Sequence, residues 1–326
     1  MNWIQKNVLG FVQKAKDTFK RIRPSKKEQA ESLWLNCPGC KELKLKTDLE
    51  PYMICSCNYH FDLSPRVRFS DDKLLWDNGV WEEIKVPSWS DPDPYETVIN
   101  GKKYIDKYKG YQKKTGQQTA LLVGYGKISG LRAVCVNFNF AFGGGAFGPS
   151  ESEHLIAGIQ YAMDNKVDLF LTIYQSGGMQ VTQSLISLAG GMPKQMVAMK
   201  ELKKAGILTV GIISGKTSGG TYASMVYAND VIGIENPSAD NILFSGLRVS
   251  KNVNSGQVIP DDFGKSQGVM KSGLADFCLG SRLELKDTVS NLAKVLLKKG
   301  EQQPISSSVE IDESSENQID RKIIKA

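Results

Sequence analysis

The chain has 326 residues, 41% hydrophobic and 23% charged, with a formal net charge of +6. That length holds one large domain with a small module, or two modest domains, and the composition is that of a globular chain rather than a fibrous or low-complexity one. No apolar run approaches the roughly 18 residues of a membrane span, and the mild positive charge admits a polyanionic partner without demanding one.

Residues 1–23 place Trp3, Ile4, Val8, Phe11, Val12, Phe19 and Ile22 at helical spacing among six basic residues. This predicts a basic amphipathic helix resting on the protein's own surface. A polar linker follows, so 1–31 form one N-terminal unit. Residues 32–63 form a cysteine module. Residues 70–116 are rich in Asp, Pro, Trp and Tyr and predict only short helices.

From residue 118 the pattern changes. Residues 120–128 and 131–140 read as paired strands joined by Ser129-Gly130, a hairpin signal. A rhythm of strand, Gly-rich loop and helix then repeats. Gly143-Gly144-Gly145 precedes a helix over 152–165. A strand over 167–173 runs into Ser176-Gly177-Gly178 and helical segments to residue 204. A strand over 207–213 runs into Thr217-Ser218-Gly219-Gly220 and a helix to residue 228. Short strands follow at 231–234 and 242–244, and an amphipathic helix over 282–299 closes a domain spanning 64–300. The tail, 301–326, is Ser/Glu-rich and expected to be disordered.

Four of the six cysteines fall within 21 residues, and Cys135 and Cys278 are expected to be buried core thiols. A tight cluster in a chain with no secretory signal reads as a metal site in a reducing compartment. A structural zinc takes four thiolates in a tetrahedron, usually from two short knuckles. Cys37-Pro38-Gly39-Cys40 is a full knuckle, and Cys55-Ser56-Cys57 is one residue short. The expected ligands are Cys37, Cys40, Cys55 and Cys57, with His60 as a substitute should the short knuckle fail to present both sulfurs.

Three loops place consecutive glycines before helices, where free N–H groups and the positive dipole end bind phosphate or stabilise an oxyanion. None fits G-x-x-x-x-G-K-[ST] or G-x-G-x-x-G, which disfavours nucleotide hydrolases and dinucleotide dehydrogenases. Only two histidines are present, His60 and His154. His154 is expected to be a solvated polar residue, and nothing in the spacing builds a Ser/His/Asp triad from Ser176 or Ser218. A reaction needing oxyanion-stabilising amides and no side-chain base fits best.

The ribbon, Phe138–Gly148, Ser176-Gly177-Gly178, Thr217–Ser224 and Phe244–Val249 together resemble the β subunit of acetyl-CoA carboxylase carboxyltransferase. The similarity covers about residues 30–300 and touches the opening Met1-Asn2-Trp3-Ile4. It implies an α/β, crotonase-like (ClpP/crotonase) superhelix of repeated β-β-α units preceded by a zinc ribbon. It also implies transfer of a carboxyl group from carboxybiotin to acetyl-CoA, with backbone amides holding the enolate and the biotin nitrogen taking the methyl proton. By position, Gly219 and Gly220 are the oxyanion donors, and Gly143, Gly144, Gly145, Ser176, Gly177, Gly178 and Arg248 line the substrate side. The implied partners are an α subunit (as α2β2), biotin carboxyl carrier protein and biotin carboxylase, in the cytoplasm or plastid stroma.

The chain departs from the family pattern in three places. Where the family carries Ala-Arg-Met-Gln-Glu after Ser-Gly-Gly, this chain reads Met179-Gln180-Val181-Thr182-Gln183. The family's Gly-Pro-Arg is Gly246-Leu247-Arg248, and the second knuckle is short. Two other readings therefore stand beside the transferase: a structural or regulatory paralogue without turnover, motivated by the missing Arg and Glu, and a zinc-ribbon nucleic-acid-binding protein.

Overall fold

The computed structural model describes residues 33–245 and 258–297. The helix expected over 1–23, residues 246–248 with Arg248, and the tail from 301 lie outside the described residues.

The cysteine module is a hairpin of β1 (Trp34–Asn36) and β2 (Leu43–Leu45), followed by the single turn α1 (Lys46–Leu49). Its core is small: Cys37, Leu49 and Cys55, with Leu35, Met53, Tyr59 and Phe61 against them. α2 (Pro65–Ser70) leads to β3 (Trp81–Glu83), the antiparallel edge of the main sheet. The expectation of only short helices over 70–116 is corrected. A hairpin of β4 (Val98–Ile99) and β5 (Lys102–Lys103) feeds the twelve-residue helix α3 (Tyr104–Thr115). Tyr104, Tyr108 and Tyr111, at i, i+4 and i+7, turn one face onto Ala120 and Phe142.

β6 (Leu121–Ile128) and β7 (Leu131–Phe138) pair around Ser129 and Gly130, whose φ values of 48° and 84° meet the requirement of a tight two-residue turn. β8 (Leu169–Ser176), β9 (Leu208–Ser218), β10 (Val231–Ile234) and β12 (Phe277–Cys278) then add in parallel. The sheet order is β12-β10-β9-β8-β7-β6-β3, with β11 (Ile242–Leu243) beside the end of β9. β8 is buried along its whole length because helices cover both faces.

On one face, α4 (Pro149–Asp164) and α5 (Met192–Lys204) bring Leu155, Ile159, Met199 and Leu202 onto Val123, Val134 and Phe170, and α6 (Ser266–Lys271) adds Val269. On the other, α7 (Leu285–Leu296) turns Leu285, Val289 and Ala293 onto Leu169, Leu171 and Val210. Cys135 is buried as expected, but Cys278 is exposed because it lies on the edge strand β12.

What positions the site is a bend. β8 loses register with β9 between Tyr174 and Ser176, and beyond the bend the chain pairs a second time. Ser176 lies opposite Thr217, Phe147 bridges Met179, and Thr217–Ser218 pair with β11. The three glycine loops are therefore gathered at the carboxyl ends of β7, β8 and β9, where α/β sheets place their ligands.

Candidate active site and metal centre

The four module cysteines converge. Their sulfurs all lie within 4.8 Å of one another, with Cys37 and Cys57 3.5 Å apart and Cys40 and Cys55 3.9 Å apart. Sulfurs bound about 2.3 Å from one zinc stand about 3.8 Å apart in a tetrahedron, so the short knuckle presents both its sulfurs. Gly39 makes room, since a Cβ there would sit 3.0 Å from the Cys57 sulfur. Burial alone would raise the Cys55 thiol, but hydrogen bonds from the Cys57 backbone, neighbouring thiols and Ser56 pull it down to about 7, toward the thiolate a metal needs.

His60 is not part of this set, which corrects its expected role as a substitute ligand. It is buried on the seam between the module and the α/β domain, where its carbonyl accepts from Asn236 Nδ2 at 3.2 Å. Burial, then the Arg282 guanidinium, pushes its pKa down to about 4, so the ring is neutral. Beside it, Glu235 holds two buried guanidiniums. Arg68 Nη2 donates to Oε1 at 2.8 Å, and Arg282 Nε lies 3.3 Å from the same oxygen while Arg282 Nη2 donates to the Phe61 carbonyl at 2.8 Å. These residues hold the module against the domain.

The glycine loops interlock backbone to backbone. Gly145 has φ +62°, and a Cβ there would overlap the Gln175 carbonyl oxygen. A Cβ on Gly178 would sit 3.3 Å from Gly219 Cα, and one on Gly219 3.2 Å from Gly178 Cα. Ser176 ties all three together. Its hydroxyl donates to the Gly145 carbonyl at 2.7 Å, accepts from the Gly178 N–H at 3.1 Å and lies 3.1 Å from the Thr221 hydroxyl. It is fully buried, so its expected place among substrate-lining residues becomes one of support beneath them.

The expectation of an open helix N-terminus is corrected at the first loop. α4 begins four residues after Gly145, and its first turn is already capped by its own Glu151, which accepts from Gly148 N–H at 3.1 Å, from Ala120 N–H and from the Tyr108 hydroxyl. Burial raises the Glu151 pKa. Behind the other two loops the chain is helical as expected, without a break over 181–204, where the stretch runs into α5, and over 219–228. Most loop amides are also engaged: Gly144 on Phe140, Gly145 on Phe142, Gly177 on Gly144 and Gly219 on the Phe244 carbonyl at 2.9 Å. The amide of Gly220 makes no hydrogen bond outside its own helix among the described residues. Of the expected oxyanion pair, Gly220 is the one with a donor to give.

Beside the loops opens a cleft of about 600 Å³ between the cysteine module and the α/β domain. Its floor is polar, formed by Asn139, Gln175 and Asp62, with Gln175 Nε2 donating to Asp62 at 2.5 Å. Lys46 and Lys114 stand on its walls with Val67 and Phe140. Sequence reading missed this cleft because half of it comes from the module.

Neither histidine serves as a base here. His154 is buried rather than solvated, its Nε2 donating to the Ile84 carbonyl at 2.7 Å and its Nδ1 lying 2.8 Å from the Thr119 hydroxyl, and burial lowers its pKa. Among the described residues, no titratable side chain hydrogen-bonds to Ser176–Gly178 or Gly219–Gly220.

A family model described as the carboxyl transferase domain matches residues 102–324. The acetyl-coenzyme A carboxylase carboxyl transferase subunit beta of Pelagibacter ubique is 32% identical over 335 residues, covering 100% of this chain and 99% of its own. The protein of the same name from Brucella ovis is 33% identical over 276 residues, 84% of this chain and 89% of its own. Among solved structures, transcarboxylase 12S with hydrolysed methylmalonyl-coenzyme A shares the fold. Its TM-score is 0.56 at 23% identity, over 71% of this chain and 41% of its own.

Proposed function

The chain belongs to the family of acetyl-CoA carboxylase carboxyl transferase β subunits, and on that footing we propose that it moves a carboxyl group from carboxybiotin to acetyl-CoA, giving malonyl-CoA for fatty-acid synthesis. The observation that carries this reading is the convergence of three interlocked glycine loops beside a polar-floored cleft, with no side-chain base on the loops. Such a site suits an enolate stabilised by backbone N–H and little else. Gly220 is the donor, Ser176 holds the loops in register, and the cleft takes the CoA side, its lysines suited to phosphates. Carboxybiotin, carried by a separate protein, supplies the carboxyl group.

We read the fold as crotonase-like, with a module that is a zinc ribbon holding one structural zinc on Cys37, Cys40, Cys55 and Cys57. The site is completed by an α subunit, in an α2β2 assembly served by biotin carboxyl carrier protein and biotin carboxylase in the cytoplasm. An exposed apolar face next to the second loop supports this partnership: Val181, Leu185 and Val197 are 81%, 67% and 62% exposed, with Leu188 and Met196 beside them. A monomer seldom leaves such a patch uncovered. Among the described residues no helix is long and apolar enough to cross a membrane.

The paralogue reading draws on Gln180 and Gln183. At 183 its force is reduced: the side chain is fully buried, its Nε2 donating to Asp93 at 2.5 Å and to Thr97 at 2.9 Å, so that position faces the interior and its neighbour supplies the carboxylate. Reconstitution tests the proposal. Malonyl-CoA should form from acetyl-CoA and carboxylated carrier when this chain and an α subunit are both present, and only then. Binding of acetyl-CoA with no turnover in the complete assembly would favour the paralogue.

A further inference from the structure

The positive charge of the chain is concentrated. Residues 97–116 hold six lysines (Lys102, Lys103, Lys107, Lys109, Lys113 and Lys114) against one aspartate, a local +5 in a chain whose whole net charge is +6. All six are exposed, on the β4–β5 hairpin and on α3, where Lys114 also borders the cleft. None makes an ion pair among the described residues, although eleven pairs form elsewhere.

Asp106 in the first turn and Lys113 and Lys114 in the last turn suit the dipole of α3, but other placements work against the helix. Lys109 and Lys113 stand at i, i+4, where like charges repel, and Lys102 and Lys103 precede the N-terminus, where the dipole disfavours cations. A hollow of about 630 Å³ lies at that end, lined by Ile99, Tyr104, Lys102, Lys103 and Lys107, with Asp106 the one acidic residue in it. The inner face of α3 reaches the site: a Cβ on Gly143 would sit 2.9 Å from the Tyr111 ring, and Lys114 is on the cleft wall.

We propose that this lysine face is the docking surface for an acidic protein domain, the one that delivers the carboxyl-bearing cofactor to the glycine loops. The proposal rests on the transferase reading, because it needs a macromolecular second substrate. The choice of a protein over the phosphates of CoA follows from extent. A twelve-residue helix is about 18 Å long and the charge continues onto the hairpin, more than one nucleotide spans. The hollow beside Ile99 and Tyr104 adds an apolar contact that suits a folded partner better than a phosphate chain. Such a surface speeds encounter and release rather than holding tightly, which fits a domain that must come and go.

The test uses the assembled transferase carrying Lys103→Glu, Lys107→Glu and Lys109→Glu together. These positions are exposed and away from the cleft, so folding is preserved; a triple Lys→Gln variant removes charge without reversing it. The KM for the carboxylated carrier domain at low salt should rise about tenfold or more, with kcat, the KM for acetyl-CoA and turnover with free carboxybiotin unchanged. The wild-type carrier KM should rise with salt toward the variant's. A carrier KM within about twofold of wild type would overturn the proposal. So would a rise in the acetyl-CoA KM instead, which would give the lysines to phosphate, or lost polynucleotide binding with the carrier KM unchanged. Absence of turnover in the wild type with either biotin source would remove the transferase reading and this proposal with it.

Discussion

Ser176→Ala separates a supporting hydroxyl from a reacting one. The hydroxyl is fully buried and joins all three loops through the Gly145 carbonyl, the Gly178 N–H and the Thr221 hydroxyl. Alanine fits the space but leaves a buried N–H and a buried carbonyl without this partner. Each such orphan costs about 1–3 kcal/mol, so the loss should be about 2–6 kcal/mol. That is a large share of the 5–15 kcal/mol typical of a domain. With a urea slope of about 3 kcal/mol per molar, the midpoint should fall by about 0.7–2 M. Unfolding can be followed by tryptophan fluorescence, since Trp76 is fully buried. Turnover should fall along with the order of the loops. A midpoint within about 0.2 M of wild type, a difference of well under 1 kcal/mol, together with abolished turnover would refute the argument and make Ser176 a chemical participant.

Glu235→Gln should destabilise the fold by about 3–5 kcal/mol, because it leaves Arg68 and Arg282 buried without their counter-charge; a urea midpoint equal to wild type would contradict this. Protein purified without chelator should hold about one zinc per chain by elemental analysis. Cys57→Ser should release it and His60→Phe should not, and the reverse pattern would restore His60 as a ligand. The pH dependence of stability should carry a His60 component. Its folded pKa of about 4 lies below the ordinary value of 6.5, so the unfolded chain binds the extra proton between those values. That stability is complete above about pH 6.5 and is lost as pH falls toward 4, by about 3 kcal/mol in all. His60→Phe, which removes two ring nitrogens without hydrogen-bond partners, should show a shallower acid slope, and an unchanged slope would place the effect elsewhere.

Periodicity and turn chemistry made much of the fold legible. Ser129-Gly130 announced the β6–β7 hairpin, and the alternation of apolar runs with glycine loops announced the parallel strands and their helices. The cysteine spacing announced the cluster of four sulfurs, short knuckle included. Helix α3 was hidden because its apolar signal is only three tyrosines among lysines, and those tyrosines find their partners in Ala120 and Phe142, outside the helix. The Arg68–Glu235–Arg282 cluster joins residues up to 214 positions apart, and no local pattern foretells such a pairing. The glycines were visible, but their reason was not. Ser176 and Gly145 are constrained by neighbouring backbones, and Gly219 spends its amide on Phe244. Hydrogen-bond partners at that range belong to tertiary packing.

The central claim is that backbone N–H on the glycine loops, Gly220 above all, stabilises the enolate. It is tested most directly by Gly220→Val in the complex with its α subunit. A Cβ on Gly220 would sit 2.9 Å from Met179 Cγ and 3.2 Å from Met192 Sδ, so a branched side chain must push into these two side chains and crowd the approach to the amide. Losing one such donor costs about 2.7–4 kcal/mol of barrier, so turnover should fall at least a hundredfold while CoA affinity changes little. Turnover within a factor of about three, well under 1.4 kcal/mol, would place the chemistry elsewhere.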